Sequence, residues 1–122
     1  MRKLMLAAAG AAALASGAAA QEVRLAFPAA ALDESERQIV AALYSNLPSQ
    51  GRVGAHGAIA VSPAFFDLWG EDPGTAVLSG LMQVVGDFDT PDEAETAALA
   101  ACEEARGAGQ AACVVGARIE PK

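Results

Sequence analysis

The stretch "TPDEAETAALAACEEARGAGQAACVVGARI", residues 90–119, constrains the fold more than any other part of the chain. It carries both cysteines, Cys102 and Cys113, eleven positions apart. Thr90 and Glu93 have capping-box spacing, and Pro91 falls at the first helical position, where a missing N–H does no harm. Asp92, Glu93 and Glu95 add negative charge at the positive end of the helix dipole. A helix is predicted from Thr90 to about Arg106, with Gly107 as a left-handed stop. Its inner face is Ala94, Ala97, Ala98, Ala101, Cys102 and Ala105, with Leu99 beside it. "ACVVGARI" then reads as a returning strand opened by Cys113. One cysteine thus sits near the end of a helix and the other at the start of the strand that runs back along it. The small residues of "GAGQAA" are flexible enough to bring the two together.

Whether that pair is a redox site, a metal site or a staple depends on the compartment, and the N-terminus bears on it. "MRKLMLAAAGAAALASGAAAQE" has Arg2 and Lys3, an apolar run from Leu4 to Ala15, and an Ala18-x-Ala20 close. This is the layout of a secretory signal peptide over residues 1–20, cleaved between Ala20 and Gln21. The apolar run is short for a membrane span, so stable membrane insertion after cleavage is not expected. A bacterial periplasmic or secreted protein is the expectation. In an oxidising compartment, a pair of cysteines in a small domain reads as a structural disulfide. A thiol redox motif wants C-x-x-C, which is absent, and a metal site needs further ligands where the chain has one histidine.

Without Arg2 and Lys3, six basic side chains face fifteen acidic ones, a net charge of −9. The basic residues Arg24, Arg37, Arg52, Arg106, Arg118 and Lys122 are scattered, whereas phosphate backbones call for a basic stripe. Nucleic acid is therefore not an expected partner. The 102 residues left after cleavage suffice for one small domain, Asp33 to Lys122, behind an extended lead-in over residues 21–32.

Within it, Asp33 and Glu36 have capping-box spacing, and Ile39, Val40, Leu43, Tyr44 and Leu47 make an amphipathic stripe that ends before Pro48. "AIAVS" reads as a short strand buried on both faces. Phe65, Phe66, Leu68 and Trp69 read as a second strand or a short helical turn, followed by an "EDPG" turn. Residues 75–88 are apolar and end as strand. The fold class is α+β: a small, mainly antiparallel sheet packed on the Ala-rich Thr90–Arg106 helix. The Asp33–Leu47 helix lies alongside or forms a semi-detached arm.

The remaining motifs have bland explanations. His56 in "GAHGA" would need an orienting partner and a nucleophile to act as a base. Ser62 and Ser79 are available, but neither sits in a G-x-S-x-G elbow. The alternative, a small hydrolase using His56 with Ser62 or a nearby carboxylate, predicts His56 within hydrogen-bond reach of Ser62. "DFDTPDE", residues 87–93, is rich in carboxylates but has Pro91 at the fifth position of a calcium loop and no glycine at the sixth. Gly51, Gly54 and Gly57 lack the spacing and lysine of a phosphate cradle. Aminolevulinate-synthase chemistry, which puts pyridoxal phosphate on a lysine Schiff base, is rejected because only Lys122 is left after cleavage. No cofactor, metal or catalytic residue is expected. The aromatics Phe65, Phe66 and Trp69 read as core first. They are also the best candidates for an exposed patch meeting a periplasmic protein or a small ligand.

"GAIAVSP", "DEAETAALAAC" and "CVV" together resemble the small secreted bacterial family named the domain of unknown function 4189. Gly57–Ala60 match its strand, and Cys102 and Cys113 match its cysteines, over roughly Gly57 to Val115. The chain departs from that pattern by the insert "AFFDLWGEDPGTAVLSGL" and by lacking a trailing aromatic and cysteine. The resemblance implies an α+β fold and a disulfide, and implies no activity. The expected function is a non-enzymatic, disulfide-stabilised binding or interaction module. An envelope structural factor is the alternative if the aromatics are wholly buried.

Overall fold

The computed structural model describes residues 23–28, 31–46 and 55–121. The signal peptide, its Ala20–Gln21 cleavage site, Leu47, Pro48, Gly51, Arg52, Gly54 and Lys122 lie outside the described residues. The chain is α+β, as expected. In chain order it forms β1 (Val23–Ala26), α1 (Glu34–Ser45), β2 (His56–Val61), α2 (Pro63–Glu71), α3 (Pro73–Leu78), β3 (Met82–Phe88), α4 (Pro91–Ala105) and β4 (Val114–Pro121). The strands make one antiparallel sheet in the order β1-β4-β2-β3.

β2 organises the molecule. Its residues from Gly57 on are buried, and the strand alternation sends unlike side chains to the two faces. Ala58 and Ala60 meet Ala94, Ala98 and Cys102 of α4. With methyl-sized groups on both sides, the helix can lie close to the sheet. Ile59 and Val61 point the other way, into a larger core of Val40, Tyr44, Phe65, Ala76, Leu81 and Ile119. The sheet is therefore covered on one face by α4 and on the other by side chains of α1, α2 and α3.

α1 is consequently no arm. Asp33 and Glu36 form the full capping box, with Asp33 Oδ1 accepting from the Glu36 N–H at 2.8 Å and Glu36 Oε1 accepting from the Asp33 N–H at 3.0 Å. Val40 and Tyr44, one turn apart, are buried in the main core, on the sheet face away from α4. The aromatic segment takes the helical alternative. Ser62 caps α2 and Pro63 follows at its first position; Asp72 then ends α2 and caps α3, again with a proline next. The "EDPG" segment is thus a helix-to-helix junction. Gly80, at φ +78°, turns α3 into β3, and a Cβ there would meet Ala105 Cβ at 3.1 Å.

Two further details differ from the sequence reading. The lead-in is extended, but Val23–Ala26 pairs with Arg118–Pro121 as a strand of the sheet. α4 is capped by Thr90 as expected and stops at Arg106 with extended backbone; the left-handed glycine is Gly109, not Gly107. The face of α4 that is truly buried is Ala94, Ala98 and Cys102, while Ala105 is exposed.

Candidate functional site

Cys102 and Cys113 are bonded, with their Cα atoms 6.1 Å apart. Cys102 is fully buried between α4 and β2, and Cys113 immediately precedes β4. The loop between them is fixed by polar contacts as well. The Cys113 N–H donates to Glu103 Oε2 at 2.9 Å, Arg106 Nε donates to Glu103 Oε1 at 2.6 Å, and Arg106 Nη1 donates to the Gln110 carbonyl at 2.6 Å. Ser62, buried at the far end of β2, donates its hydroxyl to the Ala111 carbonyl at 2.7 Å and accepts from the Ala64 N–H. The staple is thus embedded in a hydrogen-bonded corner, the surroundings of a structural bond.

The same corner gives a pH dependence. The Cys113 amide, and then the Arg106 guanidinium, hold the Glu103 carboxyl below its ordinary value of 4.5. A carboxyl whose pKa is depressed in the folded state stabilises that state above the unfolded pKa. The contribution fades as pH falls through the folded value. Stability therefore declines on acidification below about pH 4.5, and Glu103→Gln makes that part of the profile flatter. Urea midpoints at pH 3, 4 and 6 for both proteins check this; parallel profiles would sink it.

His56 and Ser62 are not brought together. They lie at opposite ends of β2, six residues apart along a strand, or roughly 20 Å at the rise of an extended chain. The Ser62 hydroxyl is already engaged in two hydrogen bonds. His56 faces Phe88 across the ladder, and its Nδ1 is buried without a hydrogen-bond partner among the described residues. Between His56 and Ala58 the pairing register slips at Gly86 and Asp87, and Asp87 takes a left-handed conformation at φ +72°. The acidic run 87–93 gathers no metal-ligand set: among the described residues no three His, Cys, Asp or Glu side chains could hold an ion. Helix-start chemistry accounts for part of it, since Thr90 Oγ1 accepts from the Glu93 N–H at 3.2 Å.

The aromatics do cluster. Phe66 meets Phe65 edge-on at 5.5 Å and Trp69 stacks on it at 6.1 Å. Phe65 is 1% exposed and belongs to the core, so it cannot touch a partner. Phe66 and Trp69 are half-buried against the same core. Among the described residues, the large apolar side chains that are exposed are Val77 and Leu78, at 54% and 87%, at the end of α3.

A concave site lies elsewhere. Among the described residues β1 pairs with Arg118–Pro121 alone, while β4 begins at Val114. Where β1 ends, the chain turns away through Phe27 and Pro28. Among the described residues no strand pairs with the outer edge of Val114–Ala117. The gap is a cleft of about 500 Å³. Phe27, Pro28 and Val115 give it apolar walls, and Glu95, Arg118 and Glu120 supply the charge. Arg118 donates from Nε to Glu95 and lies 3.7 Å from Asp92, and Arg24 bridges to Glu120 at 3.1 Å. The hydrogen bond to Glu95, with that carboxylate's charge, shifts the Arg118 guanidinium upward from its ordinary value. The cleft therefore sets mutually paired charges beside apolar walls.

No family model, curated protein or solved structure matches the chain.

Proposed function

We propose that this chain is an exported bacterial binding module without catalytic activity, and that its ligand site is the cleft where β1 leaves β4. The cleft is the observation that carries the reading. It is concave, has apolar walls, and presents polar groups whose positions are fixed by one another, features common in ligand sites. The separation of His56 from Ser62 counts against a hydrolase built on that pair. Phe65 moves out of the candidate patch of Phe65, Phe66 and Trp69, which leaves Phe66 and Trp69 as its accessible part. Three of the described arginines, Arg24, Arg106 and Arg118, are engaged by carboxylates. That favours a neutral or mixed ligand over nucleic acid. No described helix is long and apolar enough to cross a membrane.

Export and the family resemblance belong to the same proposal. Gly57–Ala60 and the Cys102–Val115 segment, which carry the resemblance to the domain of unknown function 4189, lie side by side as β2 and the α4–β4 corner. The test is an intact mass on protein isolated from the periplasm without reduction. The expected denaturing mass starts at Gln21 and is about 2 Da below the dithiol form. The expected native spectrum holds an additional mass that Val115→Arg, by filling the cleft, removes. A chain that keeps residues 1–20 would sink the export reading. Retained mass unaffected by Val115→Arg would sink the cleft.

A further inference from the structure

α4 and β3 run antiparallel, side by side. Phe88 ends β3 just before α4 begins. At the other end, a Cβ on Gly80, just ahead of β3, would meet Ala105 Cβ at 3.1 Å. Ala94, Ala98 and Cys102 press α4 onto the sheet, and Glu95 on one flank meets Arg118 of β4. The opposite flank, with Ala97, therefore turns towards β3. Along it lies a shallow groove of about 440 Å³, lined by Phe88, Asp92, Glu93, Thr96, Ala97 and Ala100. Glu93, Ala97, Ala100 and Glu104 follow at four-, three- and four-residue spacing, so they form one stripe of the helix. The stripe is small and apolar in its middle and has a carboxylate at each end. Beside it, β3 pairs with β2 alone among the described residues, in regular register over Met82–Val85. Its outer edge is a row of N–H and C=O groups with no strand on them.

Charge separates this groove from the cleft at the other edge. In the cleft, Glu95 and Glu120 are bridged by Arg118 and Arg24. Around the groove, Asp89, Glu93 and Glu104 are exposed, and none has an ion-pair partner among the described residues. Asp92 reaches Arg118 only at 3.7 Å. No described arginine lines the groove.

We infer that the groove between β3 and α4 takes an extended basic segment of a partner protein. That segment adds a fifth strand beside β3 and sets two basic side chains, four residues apart, against Glu93 and Glu104. The occupant follows from charge: a strip with unpaired carboxylates at both ends, on a chain of net −9 from Gln21 onward, attracts a cationic segment and repels a second copy. The lengths agree. Glu93 and Glu104 are eleven residues apart, roughly 16 Å along a helix. Side chains i and i+4 of a strand share one face and are roughly 13 Å apart, and the long stems of lysine or arginine span the remainder. The side chain at i+2 falls over Ala97 and Ala100, where a small apolar group meets their methyls. Main-chain bonds to β3 supply affinity, and the spacing of the basic side chains supplies selection.

The probe is the capped peptide Thr-Lys-Thr-Val-Thr-Lys-Thr, titrated by calorimetry into the oxidised chain beginning at Gln21, with amide hydrogen exchange on the complex. The expected result is saturable one-to-one binding that weakens about tenfold between low and high salt. Alternate amides of Met82–Val85 exchange more slowly in the complex. The same peptide with glutamate in place of both lysines does not bind. Glu93→Gln with Glu104→Gln, both at exposed positions, weakens binding about three- to tenfold. Ala100→Lys, also exposed, puts a cation in the groove and abolishes binding. Val115→Arg, which fills the cleft, leaves it unchanged. No binding at millimolar peptide overturns the inference. So does equal binding of the glutamate peptide, indifference to both groove variants, loss of binding with Val115→Arg, or β3 amides that keep their rates. A mass that doubles with protein concentration, with the β3 amides slowed before peptide is added, overturns it as well, because a second copy then holds the edge. None of these results bears on whether the cleft holds a ligand of its own.

Discussion

Replacing Phe65 with alanine lowers the unfolding free energy by about 3–5 kcal/mol, the range for a large aromatic truncated inside a packed core. Phe65 is 1% exposed and touches both other aromatics of α2. It fills the space between α2 and the sheet in a core that also takes in Val40, Ile59, Val61 and Leu81. Helix and sheet cannot collapse into the vacancy without pulling Ser62 from its place under the Ala111 carbonyl. The penalty therefore includes a cavity as well as lost transfer energy. Against a total of about 5–15 kcal/mol, this leaves a chain near its unfolding threshold. Urea denaturation followed by circular dichroism measures it, and Leu78→Ala, within about 0.5 kcal/mol of the parent, is the surface comparison. A Phe65→Ala effect under about 1 kcal/mol would mean that the side chain is not core. Phe65 would then return to the candidate binding patch.

What was legible in the sequence was what depends on local chemistry. The capping residues Asp33 and Thr90, the prolines at helix starts, and the pairing of Cys102 with Cys113 all act within a few residues of themselves or across one short loop. β2 could also be read as buried on both faces, because it has no polar residue between Gly57 and Val61. The aromatic segment was ambiguous for a physical reason. "AFFDLW" has too many apolar residues to distinguish a two-residue period from a helical one, and Ser62-Pro63 at its start was the signal that settles it. β1 was missed although Leu25 and Phe27 do alternate with Arg24 and Ala26; four residues are too few for a period to stand out. Its partner Arg118–Pro121 lies more than ninety residues away, so nothing local records the pairing.

The cleft was illegible for the same reason. It exists because a strand pairing ends at Arg118, and it is lined by residues from the lead-in, α4 and β4. None of these side chains is unusual in its own sequence neighbourhood. The aromatics, conspicuous in sequence, turned out to be largely structural. Composition drew attention to α2, whereas topology made the concave site.

Removing the disulfide by Cys102→Ala with Cys113→Ala lowers stability by about 3 kcal/mol, the chain-entropy value for a loop of this length. In Tm that is on the order of 15 °C for a domain of about 100 residues. Most of the effect is expected in the unfolded chain, which the bond keeps compact, because the folded corner has other ties. Glu103 still accepts from the Cys113 amide, Arg106 still holds the Gln110 carbonyl, and Ser62 still holds the Ala111 carbonyl. The double variant should therefore keep a native far-ultraviolet spectrum at low temperature. Its urea dependence should be steeper, since an unlinked chain exposes more surface on unfolding. A variant with weakened stability and an unchanged slope would instead place the loss in the folded state, at the Cys102 contact with Ala58 and Ala98. The size of the effect bears on where the protein can work. Three kilocalories is a large share of a small domain's margin. A chain that relies on this bond loses that share of its margin when the bond is reduced.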